Sequence, residues 1–269
     1  MSKTTWVAGA ALLVGVLTVP ALAQEKTSIQ AIEEYREMLQ DGNPADLFEA
    51  KGEELWKQKR GPRNVSLERC DLGKGPGVVK GAFVELPRWF ADTGKVQDLE
   101  SRLVTCMSTL QGIDPKAVVG GDWGKGERAN TTALATWIAA QSKGMPFNLP
   151  QSNPNERVMY EVGKRLFFQR GGAHDFSCAS CHGEKGKRIR LQDLPLLTTN
   201  PGDGVGFAAW PAYRVSNGQM WTMQHRLNDC YRQQRFPEPK FASDATVALG
   251  VYLGVNAKGA KSAVPTIKR

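Results

Sequence analysis

Two of the chain's five cysteines stand three residues apart and are followed at once by a histidine, Cys178-Ala-Ser-Cys181-His182. Thiols at this spacing can each add across one vinyl group of a haem, and the adjoining His lies under the same ring and can give a nitrogen to the iron. This C-x-x-C-H stretch is the pattern of c-type haem attachment. A zinc site would want four ligands, and no second C-x-x-C or H-x-x-x-H accompanies this one. A thioredoxin-type dithiol would need a βαβ setting, which the pattern lacks. The residues therefore predict one haem c, held covalently by Cys178 and Cys181, with His182 as its proximal ligand.

The distal side of the iron is open to several side chains. Met220, Met223, His225 and Cys230 all follow the motif within one predicted helix, and His174 precedes it in a loop. A Met ligand raises the haem potential, but Met220 and Met223 fall on the apolar side of that helix, as core residues do. Cys230 is left over once two cysteines take the haem and two others pair, and an odd thiol in an exported chain calls for a reason. A thiolate there would be an anionic iron ligand and, once deprotonated, a sulfur nucleophile. Arg226 stands four residues earlier, on the same helical face. Its guanidinium could lower the thiol pKa and hold an oxyanion by forked hydrogen bonds. The plain alternative is a surface arginine inherited by duplication, since Arg102 occupies the equivalent place in the first half.

The rest of the chain must position these groups. Residues 1–23 read as a secretory signal: Lys3 leads, 6–19 are apolar but too short to span a membrane comfortably, and Ala21-Leu22-Ala23 offers a small-residue cleavage site. The mature chain then begins at Gln24, without a membrane span, in a periplasm where disulfides persist. The net charge is +8, one unit of it from Lys3. That balance suits anionic partners, but no basic run interleaved with aromatics is present, which argues against nucleic acid. Helical periodicity predicts helices over 32–39, 46–59, 96–110, 132–141, 158–168, 220–231 and 245–253. Residues 144–155, rich in proline and asparagine, read as a linker. Residues 185–206 read as polar loop, and the basic tail after Gly254 as loose.

The two halves are related. Displaced by 124 residues, 86–107 lie over 210–231 without a gap: Pro87 meets Pro211, Gly94 meets Gly218, Arg102 meets Arg226, Leu103 meets Leu227 and Cys106 meets Cys230. The opening helices share Gly52-x-x-Leu55-Trp56 and Gly163-x-x-Leu166-Phe167, and the closing helices pair Ala133-Leu134 and Trp137 with Ala248-Leu249 and Tyr252. The expected fold is mainly α: two tandem cytochrome c-like domains from an internal duplication, 24–145 and 146–269, of which only the second binds haem. In the first, Cys70 matches Cys178, but Gly73 and Lys74 stand where the second Cys and the His are needed. Cys70 and Cys106 would flank the place of the missing haem, and in an oxidising compartment they are expected to form a disulfide rather than remain free thiols.

Over essentially all of residues 24–269 the chain resembles the A subunits of SoxAX cytochrome complexes of periplasmic sulfur oxidation. The resemblance rests on Cys70-Asp-Leu-Gly-Lys-Gly-Pro-Gly, Leu86-Pro-Arg-Trp-Phe, Asp92-Thr-Gly, Asp98-Leu-Glu-Ser-Arg-Leu, Cys178-Ala-Ser-Cys-His and Arg226-Leu-Asn-Asp-Cys230-Tyr-Arg. It implies an L-cysteine S-thiosulfotransferase working as a heterodimer with a SoxX-like monohaem cytochrome c. The implied reaction couples thiosulfate to a cysteine of a SoxYZ-like carrier and passes two electrons to an acceptor cytochrome c. It further implies Cys230 as distal ligand and catalytic sulfur, often a persulfide in the family, and Arg226 as the substrate-binding active-site arginine. Gly73 and Lys74 depart from the members with two haems, which leaves the one-haem form with a Cys70–Cys106 disulfide. A non-enzymatic electron carrier with His/Cys ligation, or a haem-based sensor, would use the same haem residues but leave Arg226 dispensable.

Overall fold

In the computed structural model the described residues are 42–189, 192–198 and 205–268, with Gln30, Glu34, Tyr35, Glu37 and Met38 of a helix nearer the start. The expected signal at 1–23 and much of the expected helix at 32–39 lie outside them. The fold is helix-rich with short sheets. In chain order it runs α1 (Ala45–Lys57), the hairpin β1 (Arg88–Phe90) and β2 (Lys95–Gln97), α2 (Leu99–Cys106), α3 (Gly126–Ala140), α4 (Pro154–Phe168) and α5 (Cys178–His182). Then come the small hairpin β3 (Arg188–Ile189) and β4 (Gln192–Asp193), strands β5 (Ala212–Arg214) and β6 (Gln219–Trp221), α6 (Met223–Gln233), α7 (Asp244–Asn256) and β7 (Thr266–Lys268). Short helical turns at Pro115–Val119 and Val205–Ala208 fill the connections.

Each half packs one helix pair, α1 on α3 and α4 on α7. The shared glycine explains both crossings. A Cβ on Gly52 would overlap the Ala133 carbonyl oxygen, and one on Gly163 would overlap that of Ala248. The next side chains met are Trp137 and Tyr252, the matched aromatics of the repeat. Cys70 and Cys106 are joined by a disulfide, 36 residues apart in sequence and buried among Leu67, Leu72 and Leu103. Lys74 faces outward to Glu85, Nζ–Oε1 2.6 Å. The halves are tied together where β1 meets α4, with the Trp89 amide donating to Glu156 Oε1 at 2.9 Å, and where Val96 packs on Val247 and Val251.

Several expected elements change at their edges. The helix expected over 96–110 starts only at Leu99, because Asp98 accepts from the Ser101 amide at 2.9 Å and ends the strand before it. Its counterpart over 220–231 likewise begins as strand β6, and Thr222 caps α6 at His225. Met220 is therefore a buried strand residue. Residues 144–155 are a packed strap, not a free linker. Phe147 is fully buried, its amide donates to Ala260 O at 2.9 Å and its carbonyl accepts from Gly259 N at 2.8 Å. The tail is also built in: Val264 and Ile267 are buried, and β7 adds in parallel to β5 with Arg214 opposite Lys268. Buried apolar residues, strand pairing and the Thr266 hydroxyl bond to Ala209 O together anchor the tail, which a composition reading passes over.

Candidate active site

The C-x-x-C-H residues form the one-turn helix α5, started by a capping box in which the Ser177 and Ser180 side chains serve each other's amides. Cysteines at i and i+3 share a helical face; Cys178 is buried and Cys181 half-buried. The segment that follows β4 fixes the histidine. His182 Nδ1 lies 2.8 Å from Pro195 O. A carbonyl only accepts, so Nδ1 carries the proton and Nε2 keeps its lone pair, the arrangement of a metal-binding imidazole. Burial, with help from Arg226, lowers the His182 pKa and keeps the ring neutral, against the opposing pull of Pro195.

His182 and Cys178 line a cavity of about 330 Å³. Helix α6 supplies another wall with Met223, Arg226, Leu227 and Cys230, the i, i+3, i+4, i+7 stripe of one face. Phe167, Phe207 and Leu249 make much of the rest apolar. This donor set fits a haem c. Cys178 lines the cavity and Cys181 stands one turn on in the same helix, an imidazole nitrogen is free to ligate, and the lining is largely hydrocarbon with a sulfur on a second wall. Among the described residues no cluster of three or more His, Cys, Asp or Glu could hold another metal ion.

Cys230 sits among opposing charges. Burial pushes its thiol pKa up most; Arg226 and, less strongly, Arg214 pull it down, while Asp229 and Cys181 push it up. Arg226 Nη1 donates to Asp229 Oδ2 at 2.8 Å. Asp229 also takes Arg232 and the Gln233 amide, so both its oxygens are engaged. Arg226 remains partly exposed beside the cavity, 6.0 Å from the Trp210 ring.

Of the distal candidates, Met223 and Cys230 line the cavity, and Met220, His225 and His174 do not. His225 lies between the rings of Trp123 and Trp221, each at 4.0 Å, with its pKa pushed down to about 4 chiefly by burial. Sequence reasoning missed Arg214 and Lys268, both at the cavity. The tail strand brings Lys268 in, and Arg214 stands where the repeat has an aromatic residue, Phe90. Pro195, which orients His182, carried no signal either.

Residues 51–147 match the family model described as SoxA/TsdA, cytochrome c domain. The chain is 54% identical over 252 residues to the L-cysteine S-thiosulfotransferase subunit SoxA of Hydrogenophilus thermoluteolus, covering 94% of this chain and 92% of that protein. It is 34% identical over 257 residues to a protein of the same description from Hydrogenobacter thermophilus, covering 94% and 96%. Among solved structures it superposes on the crystal structure of SoxXA from P. pantotrophus with a TM-score of 0.72 at 25% identity, covering 88% of this chain and 84% of that one. No helix among the described residues is long and apolar enough to cross a membrane.

Proposed function

This chain belongs to the SoxA family, and from that premise we propose that it is the haem-bearing A subunit of a periplasmic thiosulfate-coupling enzyme. Its partner is a SoxX-like monohaem cytochrome c, and its substrates are thiosulfate and a cysteine on a SoxYZ-like carrier. The observation that carries this reading is the placement of Arg226 and Cys230 with His182 around one cavity. A single electron-transfer haem needs a covalent anchor and two ligands, but no guanidinium beside a sulfur.

One haem c serves the chain, held by Cys178 and Cys181 in the domain 146–269, with His182 and Cys230 as the iron's ligands. Bound there, it supplies a redox centre next to the reacting sulfur. The domain 24–145 carries none: Gly73 and Lys74 replace the attachment residues, Lys74 is turned to Glu85, and the Cys70–Cys106 disulfide fills the core. A disulfide and an expected signal cleaved after Ala23 both agree with export.

The residues divide the chemistry as follows. Arg226 draws in the thiosulfate sulfonate by charge-assisted hydrogen bonds and opposes part of the rise that burial imposes on the Cys230 thiol pKa. The Cys230 thiolate and the outer sulfur of thiosulfate form an S–S bond, and the two electrons released leave one at a time to two molecules of acceptor cytochrome c. The carrier's cysteine thiolate then attacks the sulfur bound to Cys230. It takes over the S–SO₃⁻ group, and Cys230 departs as thiolate, as in thiol–disulfide exchange. His182 stays neutral throughout, fixed by Pro195. The test is thiosulfate- and carrier-dependent cytochrome c reduction by the assembled complex with Cys230→Ala. Loss of coupling is expected; full activity would leave an electron carrier as the better reading.

A further inference from the structure

Arg214 is the residue the mechanism above leaves unused. It lines the haem cavity and lies within electrostatic range of Arg226, Asp229 and Cys230. The first half shows what such an arginine pair replaces. There Arg102, the counterpart of Arg226, is fully occupied. Its guanidinium lies 4.0 Å over the Phe90 ring, Nη1 pairs with Asp92 at 2.8 Å, and Nε donates to the Asp71 carbonyl at 2.6 Å. In the second half the positions of Phe90 and Asp92 are held by Arg214 and Ser216. The ring and the acid of those two positions are both gone, Arg226 pairs instead with Asp229 on its own helix, and a second guanidinium stands where the ring was.

Arg214 is held against an aromatic stack. Its guanidinium lies 5.1 Å from the Trp221 ring. Trp221 stacks on His225, His225 on Trp123, and Arg128 of the first half lies 4.6 Å over Trp123. Among the described residues no carboxylate pairs with Arg214, and its Nε is buried with no hydrogen-bond partner. Asp193, also on the cavity wall, is taken by Arg188 at 2.9 Å. Two guanidiniums facing one cavity repel each other unless an anion lies between them, and an unsatisfied buried N–H costs free energy until it finds an acceptor.

We propose that Arg214 is a second substrate-binding residue that grips the sulfonate of thiosulfate together with Arg226, leaving the outer sulfur toward Cys230. This rests on the thiosulfate-coupling reading and adds to it a two-arginine clamp. Three sulfonate oxygens can accept from two forks, and the clamp orients the ion where a single arginine would only attract it. The stack through His225 and Trp123 makes the haem-free half part of that positioning.

The test is equilibrium titration of thiosulfate into the haem-loaded complex, by calorimetry, with Arg214→Gln and Arg214→Lys, alongside KM and kcat. Arg214→Gln should weaken thiosulfate binding roughly 10- to 100-fold, the loss expected for charge-assisted hydrogen bonds, and raise KM more than it lowers kcat. Arg214→Lys, which keeps the charge but not the fork, should fall between. An unchanged Soret spectrum verifies that each variant is folded. Wild-type affinity in both folded variants overturns the clamp while leaving the coupling reading intact. If the wild-type complex does not bind thiosulfate at all, the clamp and the coupling reading fail together.

Discussion

Gln224 donates from Nε2 to Asp98 Oδ2 at 2.6 Å, although the two residues lie 126 positions apart. Asp98 caps α2 and Gln224 is the second residue of α6. The relation is close to reciprocal, because Glu100, the second residue of α2, faces Thr222 and the Gln224 backbone at the start of α6. The two helices are repeat counterparts, so each half helps to seat the other's helix start. The seat matters for the site, since α6 carries Arg226 and Cys230.

Removing that bond leaves a buried carboxylate short of a donor. Gln224 also accepts from the Ala242 amide at 2.7 Å. Gln224→Ala should lower stability by about 1.5–3 kcal/mol, the usual range for a hydrogen bond to a charged group, read as a shift of the denaturant midpoint at constant slope.

Glu100 gives the fold a pH dependence of known sign. Burial, then the Asp98 charge, raises its pKa well above the ordinary carboxylate value, against smaller lowering by Thr222 and Gln224. Burial likewise raises Asp98. A carboxyl whose folded pKa is raised binds more protons folded than unfolded, so stability falls as pH climbs from the unfolded pKa through the folded one. The midpoint temperature of the wild type should therefore drop across that window above about pH 4.5. Glu100→Gln should show a shallower drop and be the more stable protein at neutral pH. A variant with the wild-type profile would show that Glu100 does not titrate in this way.

The disulfide should matter to the fold more than to the cofactor. It closes a loop between residues 36 apart, and replacing both cysteines by serine should cost about 2–5 kcal/mol. Haem content, measured by the pyridine haemochrome absorbance per chain, should stay the same.

The two glycine crossings should be equally intolerant. Gly52→Ala and Gly163→Ala each drive a Cβ into a backbone carbonyl across a helix pair, and backbone yields less readily than a side chain. The propensity gain of alanine, about 1 kcal/mol, favours the variants. Overpacking should outweigh it, leaving net losses of about 1–3 kcal/mol in thermal or denaturant unfolding.

The motif, the repeat and the shared Gly52 and Gly163 were legible in the sequence because each depends on local spacing or on identities kept in register, whereas the helix crossings at those glycines emerge only in the fold. Helix starts were misread by a few residues at Asp98 and Thr222, where one polar side chain switches the backbone from strand to helix. The buried strap at Phe147, the tail strand at Ile267 and the place of Arg214 all depend on pairings across the chain. A linear reading weighs such residues by composition and leaves them in loops. The repeat did hold the information about Arg214, as the exchange of Phe90 for an arginine, but its meaning needed Arg102 and its partners to be seen together.

The most direct measurement is peptide mass mapping of the haem-loaded complex after exposure to thiosulfate and oxidised acceptor cytochrome c, with no carrier present. The account predicts a thiosulfate-derived sulfur adduct on the peptide containing Cys230, removed by adding carrier and much reduced in Arg226→Gln. Thiosulfate consumption with Cys230 unmodified, or an adduct on a different residue, would contradict it.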